Sequence, residues 1–325
     1  MLNPSSSTGL TRPRQGSRIL VIGCGFIGTN IVEELVTVRR SPVVLSRSRP
    51  PAAVASGIPA SDLHIGDATD PVALSAALDG VGHVVFSAGG LLPAASEKNP
   101  DLDARLTLEP VEAVLAALTE RPGVTLTYLS SGGTVYGEPA RVPVAEDAPT
   151  AAFGAYGQLH LAAEAAVIEH AEQHDTRIRI LRCATVYGPH QHPNRGQGVV
   201  VTFLHRLKSG IPVEIFGDGG TVRDYVYVGD VARVIVALLD RREGPSILNV
   251  GSEEGTALRD VLLLAEAAVG NSATVLRHPQ RGFEVERIVL DIGRLQGLIE
   301  FQPMPLQQGI ALTHRWLSSQ APARV

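Results

Sequence analysis

One glycine-rich turn limits what this chain can fold into. Ile19-Leu20-Val21-Ile22 reads as a short apolar strand, Gly23-Cys24-Gly25-Phe26-Ile27-Gly28 follows it directly, and Phe26 to Arg39 carries helical spacing. A strand that turns through GxGxxG into a helix opens a βαβ unit. The first two glycines let the backbone turn tightly and approach a pyrophosphate, and the third lets the helix pack on the strand. The helix N-terminus then attracts the phosphate charge. Gly23, Gly25, Phe26, Ile27 and Gly28 are therefore expected to bind a dinucleotide.

Further β-branched runs follow at Val43-Val44-Leu45, Val84-Val85-Phe86, Leu126-Thr127-Tyr128-Leu129 and Ile178-Arg179-Ile180-Leu181. Two long helical segments lie between them, about 102–118 and 155–173. Pro110 in the first predicts a kink or a late start there. Strands alternating with helices imply right-handed βαβ units and a parallel sheet covered on both faces. The expected fold is α/β: a Rossmann-type, doubly wound parallel sheet with a smaller, mixed α/β C-terminal substrate lobe. Residues 1–16, rich in Ser, Thr, Pro, Arg and Gly, read as a mobile tail. The dinucleotide-binding domain is expected over 17–186, with 224–250 returning to it, and the smaller lobe over 187–223 and 251–325.

A net charge of −5 argues against broad binding to nucleic acid or anionic membranes. No apolar run reaches the roughly 18 residues needed to span a bilayer, and the start lacks a signal-peptide core. Cys24 and Cys183 make neither a disulfide framework nor a metal quartet. His190 and His192 lie in a Pro-containing loop without a convincing third ligand. No metal is expected, and the location is expected to be cytoplasmic.

The end of the second strand should meet the adenosine ribose, where an Asp or Glu would favour NAD. Ser46-Arg47-Ser48-Arg49 offers no acid, and guanidinium groups suit a 2′-phosphate, so NADP(H) is favoured, with NAD(H) possible and a solvated loop as the plain alternative. Asp67 reads either as a contact to the adenine amino group or as a helix N-cap. Ser130 to Gly137 closes a strand with hydroxyls and glycines, where ligands bind in such sheets. On the next helix Tyr156 and His160 are spaced i, i+4, so phenol and imidazole share one face. Tyr156 can give or take a proton, and His160 can hold a cofactor ribose.

These residues resemble the extended short-chain dehydrogenase/reductase family, in its nucleotide-sugar epimerase, dehydratase and 4-ketoreductase branch. The resemblance covers roughly 18–317 and rests on Gly25-Phe26-Ile27-Gly28, Ser130 to Gly137, Leu181 to Pro189, Gly217-Asp218-Gly219 with Arg223 to Val231, and Asn249-Val250-Gly251. It implies a nicotinamide cofactor bound at the N-terminal domain, with Ala88, Tyr156 and His160 among its contacts besides Ser46, Arg47 and Asp67 at the adenosine end. It implies a nucleoside-diphosphate sugar under the C-terminal lobe, with Arg223 on the diphosphate, Arg281 as a looser second phosphate ligand, and Thr185 and Gln197 near the sugar. The helices near 102–118 and 155–173 resemble those of an intersubunit four-helix bundle, which implies a homodimer.

Three positions depart from the family pattern. His160 replaces the Lys of the Tyr-x-x-x-Lys pair, Gly132 stands where a Ser or Thr is usual, and Thr185 replaces an Asn. Ser131 and Thr134 are the hydroxyls that remain. A His has pKa about 6.5 against about 10.4 for Lys, so it helps a tyrosinate less. That hinders oxidation more than reduction, where a neutral Tyr donates. The expectation is NAD(P)H-dependent reduction of a 4-keto nucleotide sugar, a dTDP- or UDP-linked 6-deoxyhexose, with Tyr156 as proton donor. The alternatives are an NAD-dependent nucleotide-sugar 4-epimerase and a nucleotide-sugar-binding protein with impaired catalysis.

Overall fold

The computed structural model describes residues 18–193, 198–241, 243–279 and 285–320. In chain order its first half runs β1 (Arg18–Ile22), α1 (Phe26–Thr37), β2 (Pro42–Ser46), α2 (Ala52–Ala55), β3 (Leu63–Ile65), α3 (Pro71–Ala77), β4 (Val81–Phe86), α4 (Pro93–Ser96), α5 (Pro100–Thr119), β5 (Thr125–Ser131) and α6 (Gly154–His174). The second half runs β6 (Ile178–Cys183), β7 (Thr185–Tyr187), α7 (Val199–Ser209), β8 (Val213–Phe216), β9 (Val222–Tyr227), α8 (Val228–Leu239), β10 (Ile247–Val250), β11 (Gly255–Ala257), α9 (Leu258–Val269), β12 (Val275–His278), β13 (Arg287–Ile288), α10 (Gly293–Leu298) and α11 (Leu306–Ser319).

Seven strands form one parallel sheet in the order β10-β6-β5-β4-β1-β2-β3. Alternate residues of its strands feed two cores. Ile19, Val21, Val44 and Val85 pack towards α1 and α8, whereas Leu20, Ile22, Val43, Val84 and Phe86 pack towards α3, α5 and α6. Burial on both faces is why these strands read as continuous apolar runs. Strand order reverses between β1 and β4, which opens the crevice at their C-terminal ends where doubly wound sheets bind ligands. A third core gathers α7, α9 and α11 against β8 and β9. There β9 pairs with β7, β11 and β13, and β12 pairs with β8.

Two local alternatives are narrowed. Helix α5 does not start near Pro110 but at Pro100, whose missing N–H costs nothing in the first turn, with Asp101 and Asp103 there to suit the helix dipole. The helix continues through Pro110. Asp67 caps no helix: Asp70 caps α3, its carboxylate accepting from Val72 and Ala73 ahead of Pro71. Among the described residues, no helix is long and apolar enough to cross a membrane.

Candidate active site

The glycine turn has the shape its spacing implies. Gly23 adopts φ +88°, and a Cβ there would lie 2.6 Å from the Ala88 backbone. A Cβ on Gly28 would fall 1.9 Å from the Gly23 carbonyl oxygen, so α1 can pack this close to β1 only without a side chain. Gly25 faces open space, and no side chain caps the α1 N-terminus. The first amide groups of α1 are thus left for an anion, and the cradle fits a dinucleotide pyrophosphate. Phe26 and Ile27 begin the helix beside it.

Ser46, at the end of β2, is buried and accepts the Cys24 N–H at 3.3 Å, which ties β2 to the glycine turn. Arg47 follows it on the surface. The Asp67 carboxylate accepts from the Thr69 amide at 3.0 Å and the Thr69 hydroxyl at 2.9 Å. Those bonds from Thr69, with the charge of Arg47 adding to them, hold it below the usual carboxylate range. Ser46, Arg47 and Asp67 therefore gather at one corner, and Ala88 lies against Gly23.

Beyond β5 the structure brings Ser131, Tyr156 and His160 together. The Ser131 hydroxyl faces the Tyr156 phenol and acts to lower its pKa. The Tyr156 and His160 rings meet edge to face with centroids 4.6 Å apart. Thr134 sits in the turn after Ser131, and its hydroxyl donates to the Ser131 carbonyl at 3.2 Å. The glycine at 132 has a physical reason: a Cβ there would lie 2.6 Å from Leu290 and 2.8 Å from the Arg182 carbonyl oxygen. No hydroxyl-bearing side chain fits, and the neighbouring Ser131 meets the phenol instead.

Helix α6 carries the pair. No residue of its own caps its N-terminus, but Glu97 accepts the Ala155 N–H at 2.7 Å from beyond α4. Gly154, at φ +66°, leaves room for that carboxylate. Two turns further on, the buried Glu164 pairs with Arg182 of β6 at 2.7 Å. Ser130 donates to the same carboxylate, and Arg182 continues to the Tyr136 hydroxyl at 3.1 Å. Sequence reasoning missed Glu97, Asp103, Tyr128, Glu164 and Arg182. Only Glu164 left a signal, being spaced i+4 from His160 and i+8 from Tyr156.

Electrostatics at the pair are one-sided. Burial pushes the Tyr156 phenol up to about 12 against the Ser131 hydrogen bond, and Asp103 and Cys183 add to the rise. Burial pulls the His160 imidazole down to about 4, although Glu164 and Asp103 oppose it. Nδ1 of His160 lies 3.2 Å from the hydroxyl of Tyr128, whose own ionisation burial suppresses. At neutral pH the pair is therefore an uncharged phenol beside an uncharged imidazole.

Thr185 opens β7 with its hydroxyl 4.0 Å from where a Cβ on Gly133 would stand, so it borders the same loop. Arg223 lies on β9, paired with Thr256 of β11, and donates to its neighbour's carbonyl, Val222, at 2.9 Å. Gln197 and Arg281 lie outside the described residues. His190 meets Glu33 of α1 at 3.0 Å and packs on Trp316, so it joins the first helix to the last. Among the described residues no three of His, Cys, Asp and Glu gather as a metal site would need.

Comparison with known proteins adds to this geometry. A family described as the NAD dependent epimerase/dehydratase family has a model that matches residues 19–251. The UDP-glucose 4-epimerase of Mycolicibacterium smegmatis is 32% identical, over 91% of this chain and 97% of its own. The dTDP-4-dehydro-6-deoxyglucose reductase of Escherichia coli is 27% identical, over 70% and 72%. Among solved structures, the UDP-glucose 4-epimerase of Thermus thermophilus in complex with NAD superposes with a TM-score of 0.84, at 32% identity, over 94% of this chain and all (100%) of that one.

Proposed function

This chain belongs to the NAD dependent epimerase/dehydratase family, and on that premise we propose that it reduces the C4 ketone of a nucleoside-diphosphate 6-deoxyhexose, with NADPH preferred. The observation that carries this reading is the edge-to-face packing of Tyr156 on His160, where burial favours the uncharged form of each. A phenol held near pKa 12 is a poor base for starting an oxidation, but a ready donor to an alkoxide. A nicotinamide held there would supply the hydride for the new C–H bond at C4. As the C=O π bond breaks, its oxygen takes the Tyr156 proton, and the phenolate left behind regains one from solvent. Ser131 orients the carbonyl, Thr134 fixes the turn that carries Ser131, and His160 supports the cofactor ribose. Arg223, Thr185, Gln197 and Arg281 are assigned to the nucleotide sugar.

The NADPH preference rests on Arg47, exposed past Ser46 with no acid in the Ser46–Arg49 run. Ala162 and Ala165 on α6 are exposed and would permit close packing of a second copy, which supports a homodimer. A 4-epimerase is the second reading, favoured by the near full-length match to a UDP-glucose 4-epimerase. It would need NAD held through both half-reactions.

The test is the cofactor the purified protein carries, released by denaturation and identified by mass, followed by turnover of a 4-keto nucleotide sugar. NADP(H), or an empty site that takes NADPH before NADH, is expected. Arg47→Ala should then weaken NADPH about tenfold or more and leave NADH nearly unchanged, as loss of one charge-assisted bond implies. Stoichiometric NAD(H) with interconversion of UDP-glucose and UDP-galactose would put the epimerase first.

A further inference from the structure

Tyr128 is a buried phenol that the proposed chemistry does not use. It lies on β5, is 2% exposed, and packs on Phe86 with ring centroids 5.9 Å apart. Its hydroxyl stands 3.2 Å from Nδ1 of His160, its one hydrogen-bond partner among the described residues. His160 is half-buried, and Nδ1 is the one atom of its ring that hydrogen-bonds a described residue.

Counting donors and acceptors places the protons on that bond. A phenol has one O–H to satisfy, and its oxygen can also accept. A neutral imidazole carries one N–H and one bare nitrogen. With the proton on Nδ1, the imidazole would donate to the phenol oxygen and leave the buried Tyr128 O–H without an acceptor, which is costly. With Tyr128 donating to Nδ1, both groups are satisfied and the imidazole proton sits on Nε2. An imidazolium has no bare nitrogen, so a charged His160 would orphan the same O–H. A lysine ammonium, with three donors and no acceptor, would do so too. The departure from the family pattern at 160 thus matches the phenol facing it on β5.

We propose that Tyr128 is a positioning residue: its O–H donates to Nδ1 of His160 and fixes the uncharged Nε2–H tautomer, which presents a neutral donor to the cofactor ribose. One ring nitrogen's partner sets what the other can do. A ribose hydroxyl oxygen accepts such a bond without any charge on the protein. The ribose contact rests on the site being a nicotinamide site, as proposed above, whereas the tautomer does not.

The experiment compares full-length wild type, Tyr128→Phe, His160→Met and the double variant, each checked by thermal unfolding. Phenylalanine keeps the ring on Phe86 and deletes the hydroxyl, and methionine deletes both ring nitrogens. Nitrogen NMR of isotopically labelled histidine, on the resonances that vanish in His160→Met, should show wild type protonated on Nε2 at neutral pH. A proton on Nδ1, or on both nitrogens, overturns the proposal with no Tyr128 variant needed. The second readout is the Kd of whichever nicotinamide binds better, NADPH or NADH, titrated without substrate. It should rise about three- to tenfold in Tyr128→Phe, within the worth of one neutral hydrogen bond. In the His160→Met background the same change should have no further effect, because it acts through the imidazole. Equal losses in both backgrounds overturn the proposal, since a merely structural tyrosine is needed whatever stands at 160. An unchanged Kd in a folded Tyr128→Phe overturns it too. Failure of wild type to bind either nicotinamide overturns the cofactor site and the ribose contact with it, while the NMR result still decides the tautomer.

Discussion

Tyr156→Phe is expected to lower kcat for ketone reduction by about 10²–10⁴-fold, with cofactor and sugar affinity within a few fold of wild type. The change deletes one hydroxyl and keeps the ring that packs edge to face on His160, so the pocket keeps its shape. What is lost is the proton that neutralises the alkoxide as the C–H bond forms. Ser131 can still polarise the carbonyl, but the phenolic proton donor is gone. The pH profile provides the second arm. A donor works only while protonated, so a phenol pushed up to about 12 should keep the reduction rate flat across the neutral and moderately alkaline range. His160→Lys puts an ammonium beside the phenol, which favours the phenolate and lowers its pKa. The alkaline fall in rate should therefore begin at lower pH in that variant. Near-normal turnover in Tyr156→Phe would remove the phenol from the chemistry. An unmoved profile in His160→Lys would remove His160 from its control.

The sheet was legible because each of its central strands buries both faces, which leaves apolar runs such as Leu20-Val21-Ile22 that need no partner to be read. The glycine turn was legible because backbone approach excludes side chains at Gly23 and Gly28 whatever the surroundings. Tyr156 and His160 were legible because helical spacing places them on one face. Other parts depend on contacts that local pattern does not carry. Gly132 is explained by Leu290, far along the chain, and by the Arg182 carbonyl across the sheet. Glu97 caps α6 from a different segment, where the residue before the helix, Phe153, gives no hint of a cap. Asp103 looks like an ordinary acid in a helix's first turn until the loop at Leu91 folds onto it. The choice between a cap and a ligand contact at Asp67 had a local clue: Pro71 at the first helical position marks Asp70 as the cap.

Glu164→Leu is expected to cost about 3–5 kcal/mol of stability, a large share of the roughly 5–15 kcal/mol typical of a folded domain. Glu164 is 2% exposed and Arg182 5%, and the guanidinium meets the carboxylate through Nη2 at 2.7 Å and through Nε at 3.1 and 3.2 Å. Burial alone would depress the Arg182 guanidinium, but its bonds to Glu164 outweigh that and hold it above its ordinary value. Removing the acid leaves a buried cation facing, among the described residues, the Tyr136 hydroxyl, the Tyr136 ring and the Glu146 carbonyl. The unpaired charge, rather than the lost attraction, makes the substitution costly. Replacing both partners at once should therefore cost less than the sum of the single changes, as measured by denaturant unfolding of the four proteins in a double-mutant cycle. Because Glu164 anchors α6 to β6 two turns from Tyr156, the single variant should also lose turnover below its melting temperature. Additive costs in the cycle would mean that the two side chains contribute separately, and that the pair does not fix the register of α6.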